Sequence, residues 1–138
     1  MLADKIKQDM IKAWKAGETS KKETLSFLLS KIKNKAIELK VEVLPDSDVL
    51  AIIQKSIKEL QDEGDNFIKA NRHDKATEIY KQGLILSLYL PKQLSEAEIR
   101  AEIAKLEDKS VPSVMKHFKA NFAGQVDMSV VSKVAREG

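Results

Sequence analysis

The sequence predicts an all-α, two-lobed helical protein, and three observations lead to that fold class. Apolar residues recur at helical spacing along most of the 138 residues. Glycine or proline stands where several of these stretches end, as at Gly17 and Pro91. Ser95, with Glu98 three residues later, forms a capping box that marks the start of a new helix. We therefore expect two helical lobes that divide near residue 92.

The larger lobe, residues 1–92, is predicted to contain four helices. The first carries an apolar stripe that includes Trp14, and Gly17 suits the end of this helix. Asp46 or Ser47 is expected to cap the third helix. The predicted helices span residues 4–16, 21–40, 47–70 and 74–89. The side chains expected in the larger core are Leu29, Ile32, Ile53, Leu60, Phe67 and Leu88.

The segment Gly83–Leu90 is ambiguous, because its β-branched and aromatic residues between a glycine and a proline also fit a buried strand. A lone strand would leave its backbone groups unpaired, and the sequence offers no second segment of comparable strand character. We therefore extend the fourth helix to Tyr89 and expect its apolar end to be buried between the lobes.

The smaller lobe, residues 93–138, is predicted to contain three helices. Pro112 is suited to the first turn of the second of these, and Asp127 is a candidate cap for the last. The predicted helices span residues 96–107, 112–121 and 128–136. The side chains expected in the smaller core are Met115, Phe118, Val131 and Val134.

Composition excludes several classes of protein. The chain contains no cysteine, so it has neither a disulfide framework nor a cysteine-ligated zinc site. Charged residues such as Asp4 and Lys5 interrupt the N-terminal segment, whereas a signal peptide needs a continuous apolar run. No segment approaches the roughly 20 apolar residues of a membrane span. We expect a cytoplasmic protein that has no membrane contact and needs no cofactor.

Positive charge is concentrated at the N-terminus. Residues 1–40 contain ten lysines against five acidic residues, although the whole chain carries a net charge of only +3. Residues 95–138 contain seven basic and seven acidic residues. Attraction between lysine and phosphate is the sequence-independent part of nucleic-acid affinity. The charge of the N-terminal quarter is therefore compatible with RNA binding. Lysine-rich helices are more often simply solvated.

The sequence contains no complete catalytic site. His73 and His117 are the only histidines, and neither has a second histidine four residues away, as a metal-binding helix would require. Ser113 and His117 lie four residues apart, which invites a nucleophile and base interpretation. No oxyanion loop or orienting acid accompanies them, so we expect a first-turn serine and a surface histidine. We predict no catalytic residue and no metal ligand.

Three stretches of the chain resemble one family. Tyr89–Glu96 reads YLPKQLSE and resembles the YLPKQLSEEE signature of the GatB/YqeY family of small helical proteins. Phe27–Glu38 is similar to the LLLAAIKNAEIE helix of that family. Val114–Lys116 followed by Ala123–Asp127 is similar to its VMK and AGQVD element. In order and spacing, the resemblance covers nearly the whole chain.

The resemblance implies a free-standing YqeY-like accessory module that is not itself catalytic. It is similar to the tail domain of the B subunit of the tRNA-dependent amidotransferase, which contacts the elbow of tRNA while distant subunits carry out glutamine-dependent amidation. The implied association is with carbon–nitrogen ligase activity that uses glutamine as amido-N-donor. The implied partners are tRNA, aminoacyl-tRNA or the amidotransferase machinery, and we expect a monomer.

Four lysines are the candidate RNA-binding residues, and each ammonium group is expected in solvent. Two belong to the basic second helix, and the other two match the basic positions of the family's VMK element. They are Lys31, Lys35, Lys116 and Lys119.

Two other functions remain open from the sequence. The first is a helical protein-interaction adaptor without RNA binding, which is favoured by the mixed charge of the smaller lobe. Gln125 also favours it. Many amidotransferase tails carry glycine where this chain has Pro112 and Ser113, and lysine or arginine where it has Gln125, which weakens the case for phosphate binding in this lobe. The second is an amide-transfer enzyme, which would need a nucleophile or nucleotide-binding loop that the sequence does not show.

Overall fold

The computed structural model describes residues 1–137, which contain seven α-helices and no β-strand. The all-α prediction is therefore confirmed, and the ambiguous segment is helical as far as Ser87. The helices are α1 (Leu2–Lys15), α2 (Thr19–Leu39), α3 (Asp46–Lys69), α4 (His73–Ser87), α5 (Glu96–Ala104), α6 (Val111–Asn121) and α7 (Met128–Glu137).

The chain forms two compact units, one over Met1–Tyr89 and one that begins at Leu90. Helices α1 to α4 belong to the first unit, and α5 to α7 belong to the second.

Gly17 ends α1 in the geometry that the sequence predicted. Its φ is +75°, in the left-handed region that glycine occupies without steric cost. The Gly17 amide donates to the Trp14 carbonyl at 3.2 Å, and the Glu18 amide donates to the Ala13 carbonyl at 2.9 Å. This pair of bonds is a Schellman motif, which satisfies carbonyl groups that the end of a helix leaves free.

The Asp46 carboxylate stabilises the start of α1 rather than the start of α3. Its Oδ1 accepts a hydrogen bond from the Leu2 amide at 2.9 Å, whereas α3 begins after Pro45 with no side-chain cap. The prediction that Asp46 or Ser47 caps α3 is therefore wrong. A free amide at a helix start can be satisfied by any acceptor that is close in space, and sequence spacing does not reveal such partners.

The core of the first unit is formed by apolar side chains from all four of its helices and from the α2–α3 loop. Its buried members are Ile6, Ala13, Leu25, Leu28, Ile32, Ala36, Leu44, Val49, Ile53, Ala76 and Leu86. Leu29, Leu60 and Phe67, which were expected there, are half-buried.

Two side chains that the sequence placed on buried faces are exposed. Leu88 is 78% exposed and lies just beyond the end of α4 at Ser87. Within the apolar stretch only Leu86 is fully buried. The expectation that the apolar end of α4 is buried is therefore wrong. Trp14 is 67% exposed, although α1 buries Ile6 and Ala13. Successive residues of a helix are rotated by about 100°, so the Trp14 side chain points away from the buried face that contains Ala13.

Helices α3 and α4 approach closely at Gly64. This glycine is buried, and a Cβ atom placed on it would overlap the ring of Tyr80. The Tyr80 hydroxyl donates to Asp65 Oδ1 at 2.6 Å on the same side of α3. The missing side chain at position 64 therefore allows the aromatic ring to pack directly against the backbone of α3.

The second unit opens with the predicted capping box. Ser95 Oγ accepts from the Glu98 amide, and Glu98 Oε1 accepts from the Ser95 amide, both at 3.1 Å. Before α7, Asp127 Oδ1 accepts from the Ser129 amide at 2.9 Å, as expected of a cap. The core of this unit contains Ile99, Ile103, Val114, Phe118, Val126, Val131, Val134 and Ala135, with Met115 partly buried against it.

Helix α5 is shorter than predicted. It ends at Ala104, and the amides of Lys105 and Leu106 bond to the carbonyls three residues earlier, at 3.2 and 3.0 Å. This tightening is common in the last turn of a helix.

Candidate nucleic-acid interface

Helix α6 presents Lys116 and Lys119 to solvent. The orientation follows from its opposite face, where Val114 and Phe118 have no exposed surface and anchor the helix in the core of the second unit. Neither lysine forms an ion pair with any residue of the described range 1–137. Both ammonium groups are therefore available to an external anion, as the sequence predicted.

The turn after α6 brings together two of the three stretches that resemble the family. Gly124, with φ +77°, reverses the chain, and the Leu94 amide donates to the Gln125 carbonyl at 2.8 Å. Gln93 Nε2 donates to the Gly124 carbonyl at 2.6 Å. These motif residues stabilise the second unit and hold the C-terminal end of α6 in place beside Lys119.

Lys31 lies in a different environment from that expected. Its Nζ donates to Ser56 Oγ at 3.1 Å and to Glu59 Oε2 at 3.4 Å, and it lies 4.8 Å from the centre of the Phe27 ring. Its side chain is only 29% exposed. The expectation that each lysine tip lies free in solvent is wrong for Lys31, because α3 supplies partners that the sequence of α2 does not show.

Lys35 is more accessible than Lys31. Its side chain is 41% exposed and forms a surface ion pair with Glu38 at 3.4 Å, one turn along α2. Surface pairs of this kind contribute only about 0–1 kcal/mol, so the pair is easily exchanged for an external phosphate.

The structure does not join Ser113 and His117 as a nucleophile and base. The Ser113 hydroxyl donates to Asp108 Oδ2 at 2.7 Å. A hydrogen bond of 3.1 Å joins His117 Nε2 to Glu102 Oε1, and this contact lowers the pKa of Glu102. The His117 ring also stands edge-on to Phe118. Both residues therefore have structural partners.

The described residues contain no cluster of histidine and carboxylate side chains that could hold a metal ion. His73 instead shares a hydrogen bond of 3.1 Å with Asn71 Oδ1 at the turn between α3 and α4.

Trp14 is a candidate contact residue that the sequence interpretation missed. It is 67% exposed in the last turn of α1, where Lys12 and Lys15 are also exposed. Apolar spacing predicted that Trp14 belongs to the buried stripe of α1. The sequence of one helix does not show which residues lie at the edge of its apolar stripe and which lie at the centre. An exposed indole beside lysines is suited to contact an unpaired base.

Comparison with known proteins identifies the family. The family model described as "Yqey-like protein" matches residues 3–138. The chain belongs to the YqeY-like family. The resemblance to the YqeY-like family that the three motifs suggested is therefore confirmed.

A curated relative of this YqeY-like chain is "Altered inheritance of mitochondria protein 41, mitochondrial" from Lachancea thermotolerans. The two are 33% identical over 103 residues, which cover 73% of the present chain. The YqeY-like chain matches 55% of the relative's length, so it spans about half of that protein.

Within the described range, no helix combines the length and the apolar character needed to span a membrane.

Proposed function

We propose that this YqeY-like chain is a noncatalytic accessory module that binds tRNA. The observation that carries the proposal is the pair of exposed, unpaired lysines on α6, Lys116 and Lys119. A rigid helix that presents two cations one turn apart is suited to contact successive phosphates, which position a nucleic acid without reading its sequence. Lys35 on α2 is a further phosphate contact of the same kind.

Phosphate contacts are expected to dominate the binding. Among the phenylalanine, tyrosine and tryptophan rings of the described residues, only Trp14 and Phe27 are exposed by more than half, and Phe27 lies against Lys31. Two separate rings do not form the stacked platform that single-stranded nucleic acid requires. Folded RNA is therefore the preferred ligand, and binding should weaken as salt increases.

The test is a titration of bulk tRNA at two salt concentrations, with the intrinsic fluorescence of Trp14 and a filter-binding assay as readouts. Reversal of both α6 charges, Lys116→Glu with Lys119→Glu, should weaken binding and lower the salt slope by about one unit for each lost contact. The matched control reverses Lys105 and Lys133, two exposed lysines of the same unit that each pair with a glutamate.

Three outcomes are informative. Loss of binding in the α6 variant but not in the control supports the proposed interface. Equal loss in both variants would show that only the overall charge matters. Absence of tRNA binding to the native chain at low salt would remove the RNA function altogether, because electrostatic association is strongest there.

We further propose that the module serves glutamine-dependent tRNA amidation or aminoacylation. The family resemblance supports this association, and a cytoplasmic location agrees with the lack of cysteine. The name of the Lachancea relative assigns that protein to mitochondria, so the compartment of this chain stays a prediction. Adding the purified chain to an amidation reaction on misacylated tRNA should change its rate, and the α6 variant should not.

A further inference from the structure

A partly open cavity of about 270 Å³ lies between α2 and α3, and α4 completes its lining. We call it the α2–α3 groove. Its apolar surface comes from Leu28 and Leu86, which are almost fully buried, from the half-buried Leu60, and from Phe27. Phe27 is 61% exposed, although the neighbouring apolar residues Leu25 and Leu28 of α2 are buried. Such exposure is unusual for a large aromatic side chain.

The rim of the groove is acidic. Glu23 on α2, and Glu59 and Glu63 on α3, line it with exposed carboxylates, and Lys31 is the one cation among the lining residues of the described chain. Glu23 and Glu63 form no ion pair within residues 1–137. The Lys31 ammonium is already bound to Ser56 and Glu59. The groove therefore combines an apolar lining with two unneutralised carboxylates on opposite walls.

We propose that the α2–α3 groove is a docking site for a basic amphipathic helix of another protein. Apolar side chains of the incoming helix would cover Phe27 and Leu60, and its lysine or arginine residues would pair with Glu23 and Glu63. This is the helix-in-groove mode of recognition, in which apolar anchors supply affinity and flanking charges select the partner. The acidic rim repels phosphate, so we do not expect RNA to occupy the groove.

The charge pattern is the reason for choosing this occupant. An acidic helix would add carboxylates to a rim that already has a surplus of them, and a nucleic acid would do the same with phosphates. An uncharged apolar segment would leave Glu23 and Glu63 without partners at the edge of a desolvated contact. A basic helix satisfies both the apolar lining and the rim.

The probe is a labelled synthetic peptide of about 15 residues, with leucines along one helical face and lysines flanking them. One control peptide carries glutamate in place of lysine, and a second has the same composition with the amphipathic order scrambled. Binding to the full chain is measured by fluorescence anisotropy, and the contact residues are mapped by NMR chemical shifts.

We expect the lysine peptide to bind and to shift the resonances of Phe27 and Leu60, with neither control peptide doing so. The double variant Glu23→Lys with Glu63→Lys should weaken binding about tenfold, which corresponds to about 1.4 kcal/mol. Both positions are exposed, so the variant should fold, and the milder Glu23→Gln with Glu63→Gln should weaken binding less. Glu78→Lys, an exposed acid of α4 outside the groove, is the matched control.

Several results would overturn the proposal. Binding that is unchanged in the double variant, binding of the scrambled peptide with equal affinity, or chemical shifts confined to other surfaces would each do so. Concentration-dependent self-association that Glu63→Lys abolishes would identify a second copy of this chain as the occupant instead. Reversal of Lys116 and Lys119 should leave peptide binding unchanged, so this test is independent of the RNA-binding proposal.

Discussion

Gln93 donates a hydrogen bond of 2.6 Å from its side-chain amide to the backbone carbonyl of Gly124. The same amide nitrogen lies 2.9 Å from the carbonyl of Pro91. One side chain therefore ties the segment that enters α5 to the turn that follows α6. The two stretches that most clearly indicate the family thus meet in space, and their first role is to build the second unit.

Replacing Gln93 by alanine should destabilise the second unit by about 1 kcal/mol, because the change removes this hydrogen bond and leaves a part-buried carbonyl without its partner. The second unit contains neither tryptophan nor tyrosine, so its unfolding should be followed in urea by NMR of the Val131 and Val134 methyl groups. Gln125→Ala is the control, because Gln125 contributes its backbone carbonyl and not its side chain. Equal effects of the two changes would contradict the role assigned to Gln93.

Gly64→Ala should destabilise the first unit by about 1–3 kcal/mol, although alanine is the better helix former. The added methyl group would overlap the Tyr80 ring and force α3 and α4 apart. Gly83→Ala is the matched control, because nothing lies within 4 Å of a Cβ atom at that position of α4. This control should gain about 0.5–1 kcal/mol. Urea unfolding followed by NMR of the methyl groups of Ile53, which is fully buried in this unit, measures both, and stabilisation by both changes would contradict the close approach.

Lys40→Gly should stabilise the first unit by about 1 kcal/mol. Lys40 has φ +58° at the end of α2, in the left-handed region where a side chain is strained and glycine is not. Asn71 occupies the same conformation after α3, with φ +61°, but asparagine tolerates it better. Asn71→Gly should therefore gain less than Lys40→Gly in the same unfolding experiment. The opposite order would show that strain at Lys40 is not significant.

Asp108→Asn should make the second unit less sensitive to acid. The Ser110 amide and then the Ser113 hydroxyl hold the pKa of Asp108 at about 2, below its usual value of 3.8. Because the folded-state pKa is lowered, the carboxylate stabilises the fold above pH 3.8, and this contribution disappears as the pH falls towards about 2. The Val131 and Val134 methyl resonances should show the difference in an acid titration. Glu107→Gln is the control, and the same change in both variants would contradict the assignment.

The sequence predicted much of the fold because helices are local structures. Apolar spacing, Gly17 and the capping box at Ser95 each depend on residues within one or two turns. The same information placed Lys116 and Lys119 on the outer face of α6, since Val114 and Phe118 on that helix define the inner face. These features depend on local sequence, so the sequence alone was sufficient to predict them.

Tertiary packing decided what local spacing leaves open. Trp14 and Ala13 are neighbours in one apolar stripe, and only the position of α2 and the other helices determines that Ala13 is buried and Trp14 exposed. Asp46 caps a helix 44 residues earlier in the chain, and Lys31 is held by Ser56 and Glu59 of α3. The α2–α3 groove likewise exists only because three helices meet around it. The sequence by itself thus determined the helices and their order, because hydrogen bonding within a helix is local, whereas packing between helices decided which side chains remained free to bind.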